Sequence, residues 1–540
     1  MTAPGFFSRS LALLLSLTAA FLSAQGFTET EGEGDSGSAE YQDADYQDGG
    51  DFGFDDGASG PDGEGFGFDD GASGGGGFGF SGGGASGISA GFGGELTGEL
   101  LMYTDVAGGN DFFGNRYWAN TIKGKLNFSV SAPSVDGFVG LKLNFPGELL
   151  RDPLVLDEAY FRLTLRDFEA QLGFCKLTWG KADSLGPLDI INPLDYSDLT
   201  DMTDLIGMKI ARPMLRLTYR FGDFTKIEGL YIPWFRAYKL DLGGRWRPAQ
   251  LAEFGSQLST LESLLALYGG GVYINGDPFS SAPAGNPLSF YYDRVDEFDH
   301  PQGGLRFTTT LGSTDLGVQY YTGYFSRPSV SGKLWFDVAP LPPPPVVPKV
   351  AFDYGYNRFH QIGFDYARVL GGFNLRAEAG MNLTGDFSGN DAAVENPAFV
   401  WSLGFDRDLV WGINLNIQGT GSVILMYDRI QNTLAEKLVQ AAQTGTAQPG
   451  VMDCESGKDP SSTRITAQIS KRLLRDELEI KCTALWGIED RDFLIIPAVV
   501  WTRGDLSLEG SAGIFGGDRG GELGQYTDNT FIKAALTWKF

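Results

Sequence analysis

The sequence predicts an all-β protein, a transmembrane antiparallel β-barrel of about eighteen strands, with about sixteen as the alternative. Three observations predict it. In the last ten residues, 531–540, Ile532, Ala534, Leu536, Trp538 and Phe540 alternate with Lys533, Ala535, Thr537 and Lys539. That period of two makes one strand face greasy and the other not. The same alternation recurs from about residue 95 onward, clearest at 411–425, where Ile413, Leu415, Ile417, Val423 and Leu425 alternate with Asn414, Asn416, Gln418, Thr420 and Ser422. Finally, the links between strands alternate between short turns and long loops, the asymmetry of a membrane barrel.

Taken in order, the chain opens with Arg9, the apolar run Leu11 to Leu22 and the small-residue site Ser23-Ala24-Gln25. That pattern predicts a signal peptide over 1–24. Residues 25–92 are expected to be a disordered acidic, Gly-rich tail. They carry the near-repeats 52-FGFDDGASG-60, 66-FGFDDGASG-74 and 78-FGFSGGGASG-87, and 15 acidic residues fall between Thr28 and Asp70. Such a stretch buries too little apolar area to offset the entropy of ordering. The barrel is expected over 93–540. Its predicted strands are 95–104, 116–131, 137–147, 157–166, 168–178, 212–222, 225–235, 303–312 and 315–325. They continue at 359–370, 373–383, 397–406, 411–425, 463–472, 477–487, 493–502, 505–514 and 531–540. Most are close to the 9–11 residues of a tilted membrane strand. A last strand with no hairpin partner after it must close on the first or stay an exposed edge.

Two loop helices are expected. In Ala249 to Tyr268, Leu251, Phe254, Leu258, Leu261, Leu264 and Leu265 share one face, and Gln431 to Ala442 is a weaker case. Both are read as local loop structure rather than as a plug of the mouth. The run 340-PLPPPPVVP-348 is read as stiff extended loop, neither helix nor central strand. Trp118, Tyr160, Tyr219, Tyr320, Trp335, Trp401, Trp411, Trp486 and Trp501 are placed near strand ends as interfacial girdles.

Trp179-Gly180 ends the fifth strand, and a polar gap then leads to Asp189-x-x-Asn192-Pro193-x-Asp195. These residues resemble a family of uncharacterised porin-like bacterial outer-membrane β-barrels. The end of the chain is similar too: Gly524, Asp528-Asn529 and a last strand finishing in Trp538 and Phe540, like an outer-membrane assembly signal. The resemblance implies a barrel in the bacterial outer membrane and, for some relatives, movement of hydrophobic compounds across it; it implies no enzyme. On this reading residues 179–211 are the third extracellular loop and form the pore constriction. Asn192-Pro193 supplies a rigid bend, and Lys181, Asp183 and Asp189 face the pore. Asp195, Asp198 and Asp201 offer a low-ranking Ca²⁺ site; otherwise such carboxylates cap backbone amides.

On the non-greasy strand faces stand Arg162, Arg166, Arg216, Arg220, Arg306 and Arg376, with Glu158, Glu169, Glu228, Glu378, Glu479 and Glu509. An Arg at the lipid midplane costs about 2–4 kcal/mol, so these are expected in the lumen, where they set a field or brace the wall. The 41 Lys+Arg against 68 Asp+Glu argue against nucleic-acid binding. Cys175, Cys454 and Cys482 have neither disulfide nor metal spacing. With His300 and His360 the only histidines and no nucleophile-elbow, zinc or phosphate-loop motif, no enzyme and no cofactor are expected. The expected partners are outer-membrane lipids, the barrel-assembly machinery and small-molecule solutes. The expected function is a porin-like channel. The alternatives are a surface adhesin or receptor using the long loops, and a transporter of hydrophobic compounds.

Overall fold

The computed structural model describes residues 87–104, 118–145, 155–184, 186–279, 300–338 and 346–540. The expected signal peptide and nearly all of the expected tail lie outside the described residues. Strand β1 (Ser89–Tyr103) begins inside the stretch assigned to the tail. It is followed by β2 (Trp118–Ala132), β3 (Val135–Phe145), β4 (Val155–Leu165) and β5 (Phe168–Cys175). The chain then leaves the wall for β6 (Asp195–Tyr196) and the one-turn helix α1 (Leu205–Met208) and returns as β7 (Arg212–Arg220) and β8 (Thr225–Ile232). The next excursion holds β9 (Lys239–Leu240), α2 (Ala249–Ala266), β10 (Gly271–Ile274) and β11 (Asp277–Pro278). Wall strands β12 (Gln302–Leu311) and β13 (Thr314–Tyr324) precede a third excursion, β14 (Ser329–Val338) and β15 (Val346–Gly355). Then come β16 (Arg358–Leu370), β17 (Phe373–Thr384), β18 (Ala398–Leu409) and β19 (Ile413–Ile424). A fourth excursion carries α3 (Leu434–Thr444) and β20 (Gly450–Met452). The wall ends with β21 (Ser461–Leu473), β22 (Leu478–Gly487), β23 (Asp492–Arg503), β24 (Leu506–Gly517) and β25 (Phe531–Lys539).

The wall is a single closed sheet of 18 antiparallel strands. Closure is direct: β1 pairs with β25 from Glu95↔Lys539 to Tyr103↔Phe531. The amide of Gly94 donates to the Phe540 carbonyl at 2.8 Å, and the Phe540 amide donates back at 2.9 Å. With no open edge, every strand spends its backbone donors and acceptors inside the wall, which a hydrocarbon surround demands. Each wall strand overlaps its sequence-based counterpart, because its two faces meet different solvents and the alternation is therefore strict. Leu536 and Trp538 are about half exposed on the outer face, while Lys533, of the opposite parity, is only 2 % exposed. Leu415 and Ile417 share the outer parity, opposite to the inward, buried Gln418. Among the described residues no helix is long and apolar enough to cross a membrane, a statement that leaves a barrel untouched.

Short turns gather at one end of the barrel. Gly371 and Gly372 form a two-residue turn with φ of 60° and 81°, the left-handed pair that lets tightly twisted strands reverse. Arg166 falls in the turn between β4 and β5, with φ 51° and an exposed side chain, and is not on a lumenal strand face as expected. Trp411 likewise sits in a turn.

The long-loop end departs most from expectation. Three excursions there build a second sheet, in the order β11-β10-β15-β14-β20, covered by α2 and α3. Phe254, Leu258, Leu261 and Leu265 of α2 interlock with Val272, Leu334, Val350, Phe352, Leu434 and Met452. The helices are therefore part of a folded cap, not isolated loop structure. Trp335 belongs to this cap rather than to a membrane girdle. Tyr160 also leaves the girdle: it stacks on Phe138 at 5.4 Å and shares the inner face with Glu158 and Arg162. Residues 346–348 of the proline run join β15, a central strand of the cap. Pro348 is tolerated because it pairs with Phe336 of β14 one residue beyond the start of the β10 ladder.

Candidate functional site

The stretch between β5 and β7 turns inward and crosses the lumen. Asn192 closes its base: its carbonyl accepts from the Leu177 amide at 2.8 Å, and its NH2 donates to the Cys175 and Ile210 carbonyls at 3.0 and 2.9 Å. Pro193, next in the chain, fixes the bend, and its carbonyl accepts from the Ile210 amide at 2.8 Å. Trp179 is buried, and its indole N–H donates to Glu228 of β8 at 3.2 Å. Gly180 has φ 104°, and a Cβ there would collide with the Glu378 carboxylate, so both backbone shape and space call for glycine.

The tip is held from across the lumen by inward side chains of four wall strands. Glu378 of β17 accepts from the amides of Lys181, Ala182 (2.8 Å) and Leu188 (3.4 Å). Gln418 of β19 accepts from the Asp183 and Ser184 amides at 2.8 and 3.2 Å. Gln319 of β13 and Gln361 of β16 donate to the Leu188 and Pro187 carbonyls at 3.0 and 2.9 Å. Arg376 of β17 pairs with Asp183 and, at 2.6 Å, with Asp406. Lys181 reaches Asp315 at 3.4 Å, and Asp189 pairs with Lys209 at 2.8 Å. The residues singled out in the sequence are thus brought together, largely as a scaffold.

The Ca²⁺ reading does not match the partners found. Asp195 accepts from the Ser197 amide and pairs with Lys239 at 3.1 Å; Asp198 accepts from the Thr200 amide at 2.9 Å; Asp201 faces Lys533, with Lys123 at 3.9 Å. Each carboxylate is spent on a different group, and among the described residues no set of three or more His, Cys, Asp or Glu side chains could hold a metal ion. Asp204 caps α1 through the Gly207 amide at 2.8 Å.

A second crossing segment, 233–246, had no place in the sequence reading. It leaves β8, runs beside the first through the parallel β6–β9 pair, and reaches the opposite wall. There Trp246 packs among Phe515, Tyr526, Phe531 and Tyr103, with ring centroids 5.5–6.5 Å apart. The usable signal was Trp246 in a segment otherwise read as loop; Trp234 and Phe235, read as the end of the strand 225–235, instead begin this crossing.

Two hollows remain. One, of about 560 Å³, lies between the tip of the first segment and β19, β21 and β22, lined by Asp183, Ser184, Asn416, Thr420, Arg464 and Gln468 among others. At its rim Arg464 pairs with Glu522 at 2.7 Å and holds that carboxyl below its ordinary value. Burial, with Asp492 and Glu522 nearby, pushes the neighbouring loop carboxyl of Asp490 up to about 6. The other hollow, of about 440 Å³, lies under Trp179–Ala182 toward the short-turn end, against β4, β7, β8 and β12. Of the expected lumenal charges, Arg162, Arg216, Arg220, Arg306, Glu158 and Glu228 line this second hollow. Arg216 pairs with Glu228 at 3.2 Å, Arg220 with Glu169 at 3.1 Å and Arg306 with Asp365 at 2.8 Å, so bracing and charge occupy the same wall.

No family model matches the sequence, and no curated protein matches it. Solved structures that resemble the chain include a variant of the Rhodopseudomonas blastica porin, 9% identical, covering 84% of this chain and 100% of that one at a TM-score of 0.34. The outer membrane channel DcaP of Acinetobacter baumannii is 9% identical over 84% of this chain and 98% of that one, at 0.36. The Vibrio cholerae outer membrane protein OmpT is 8% identical over 84% and 99%, at 0.35. At these scores the likeness adds nothing to the barrel that the strand pairing already defines.

Proposed function

We propose that the protein is a porin-like channel of the bacterial outer membrane, passing small solutes by diffusion through its lumen, with residues 179–211 narrowing the path. The observation that carries this reading is the inside-out wall. Its outer face is apolar, its inner face holds Arg, Lys, Glu and Gln, and beside the crossing segments lie hollows of about 560 and 440 Å³. A barrel serving only as an anchor has no need of a charged, hollow interior. On this reading the cap faces the cell exterior and the short turns face the periplasm. A second reading, a surface receptor or adhesin, is favoured by the cap, whose own core and five-stranded sheet exceed what a channel mouth requires.

The test is conductance of the purified full chain in planar bilayers, with solute uptake into liposomes alongside. Discrete current steps and uptake are expected. A folded barrel that gives neither would sink the channel reading and leave the receptor.

A further inference from the structure

The hollow under Trp179–Ala182 has the wrong charge for its chain. The sequence carries a formal net charge of −27. Yet eight Lys and Arg side chains and only four Asp and Glu side chains line this hollow. Of the lining acids Glu228 is shared between two cations, as is Glu169 off the cavity surface. Glu228 serves both Arg216 at 3.2 Å and Lys226 at 2.7 Å, and Glu169 lies 4.0 Å from Arg216 and 3.1 Å from Arg220. Lys176, Lys209 and Arg306 line the cavity, whereas their partners Asp157, Asp189 and Asp365 stand behind them, off its surface. A solute in the cavity therefore meets the cations first.

Arg162 is the telling residue. Among the described residues it has no ion-pair partner: its guanidinium reaches the Tyr160 hydroxyl at 3.5 Å and lies over that ring at 5.5 Å. Its Nε is buried and without a hydrogen-bond partner. Arg162 itself is half-buried, and a buried guanidinium N–H is costly unless something accepts from it. Its planar fork matches a carboxylate or phosphate, which can take two parallel N–H bonds. Gln171 and Thr308 line the same space and add neutral polar groups. In a narrow cavity with low-dielectric walls, clustered charge of one sign concentrates counter-ions.

We propose that this hollow is a binding station for a small anion, a solute carrying a carboxylate or phosphate group, reached through the lumen. The transport half of the statement rests on the channel reading; the binding half does not. Occupancy must be weak enough for release, and the shared acids provide that by competing for the same cations.

The test uses the full chain in detergent micelles and in planar bilayers. Calorimetry with succinate, inorganic phosphate and glucose reads binding; reversal potential in a KCl gradient reads selectivity. Succinate or phosphate should bind and glucose should not, and the open channel should prefer chloride. Arg162→Gln should weaken anion binding about tenfold, the scale of one charge-assisted pair, with partial recovery in Arg162→Lys. Lys226→Gln, at a more exposed position, should weaken it less and guards against a folding defect at Arg162. Binding of succinate alone assigns a carboxylate solute, and of phosphate alone a phosphate. Anion binding without conductance upholds the station and overturns the channel. A conducting barrel that binds neither anion better than glucose, or one in which both folded Gln variants bind as the parent does, overturns the station.

Discussion

Glu378 shows how one carboxylate can hold a segment that crosses the lumen. It stands on the inner face of β17, where the amides of Lys181, Ala182 and Leu188 converge on its two oxygens. Gly180 and Gly186 let the backbone come this close, since a Cβ at either would run into the same carboxylate. Glu378→Ala would leave three buried or half-buried N–H groups without an acceptor, at about 1–3 kcal/mol each until water or movement relieves them. Water reaching the freed tip is the cheaper outcome, so the segment should loosen while the barrel stays intact. Single-channel recording should then show higher conductance and more open-state noise than the parent. Unchanged conductance and noise in a folded Glu378→Ala barrel would mean that the tip does not limit the current.

Among the elements, the seam between β1 and β25 gathers a buried charge network. Lys533 of β25 is 2 % exposed and faces Asp201, Glu509 at 3.6 Å and Glu99 at 3.8 Å, and Lys123 of β2 pairs with Glu99 at 2.9 Å. The first crossing segment is thereby pinned to the strand pair that closes the barrel. Removing one partner from a buried network strands the others, typically at about 3–5 kcal/mol. Lys533→Met should therefore lower the temperature at which the SDS-resistant folded band is lost on gels, and Lys533→Arg should lower it less. A Met variant melting with the parent would show that the seam is held by its backbone ladder alone. Lys533 was visible in the sequence as an inward residue of the last strand, because period two separates lipid from lumen at every wall position. Its partner Asp201 was not, since nothing in a turn-rich loop says which strand it will meet. The same limit hid which segment Glu378, expected in the lumen, would hold, and it hid the cap. Strands β10 and β20 are too short for periodicity to register, and their pairing joins loops far apart in the chain.

For the molecule as a whole, the wall and the cap are stabilised by different means. The wall needs lipid on one side and a continuous hydrogen-bonded ring; the cap has an ordinary apolar core sealed by α2 against its own sheet. Leu258, at 0 % exposure in the middle of that core, touches neither the lumen nor the lipid face. Leu258→Asp would bury a charge with no partner, a penalty larger than a short three-excursion sheet can absorb, so the cap should open. The barrel should not follow, because the cap is a separate sheet whose three excursions leave and rejoin the wall at the ends of β8, β12, β13, β16, β19 and β21. Limited proteolysis should then cut within 249–266 and 434–452 while the SDS-resistant band keeps its parental melting temperature. If the loss of the cap also raises conductance, the cap shields the mouth; if conductance is unchanged, the narrowing sits deeper, at residues 179–211. A barrel that unfolds together with its cap would instead show that the two form one cooperative unit, and the loops would then be part of what keeps the wall closed.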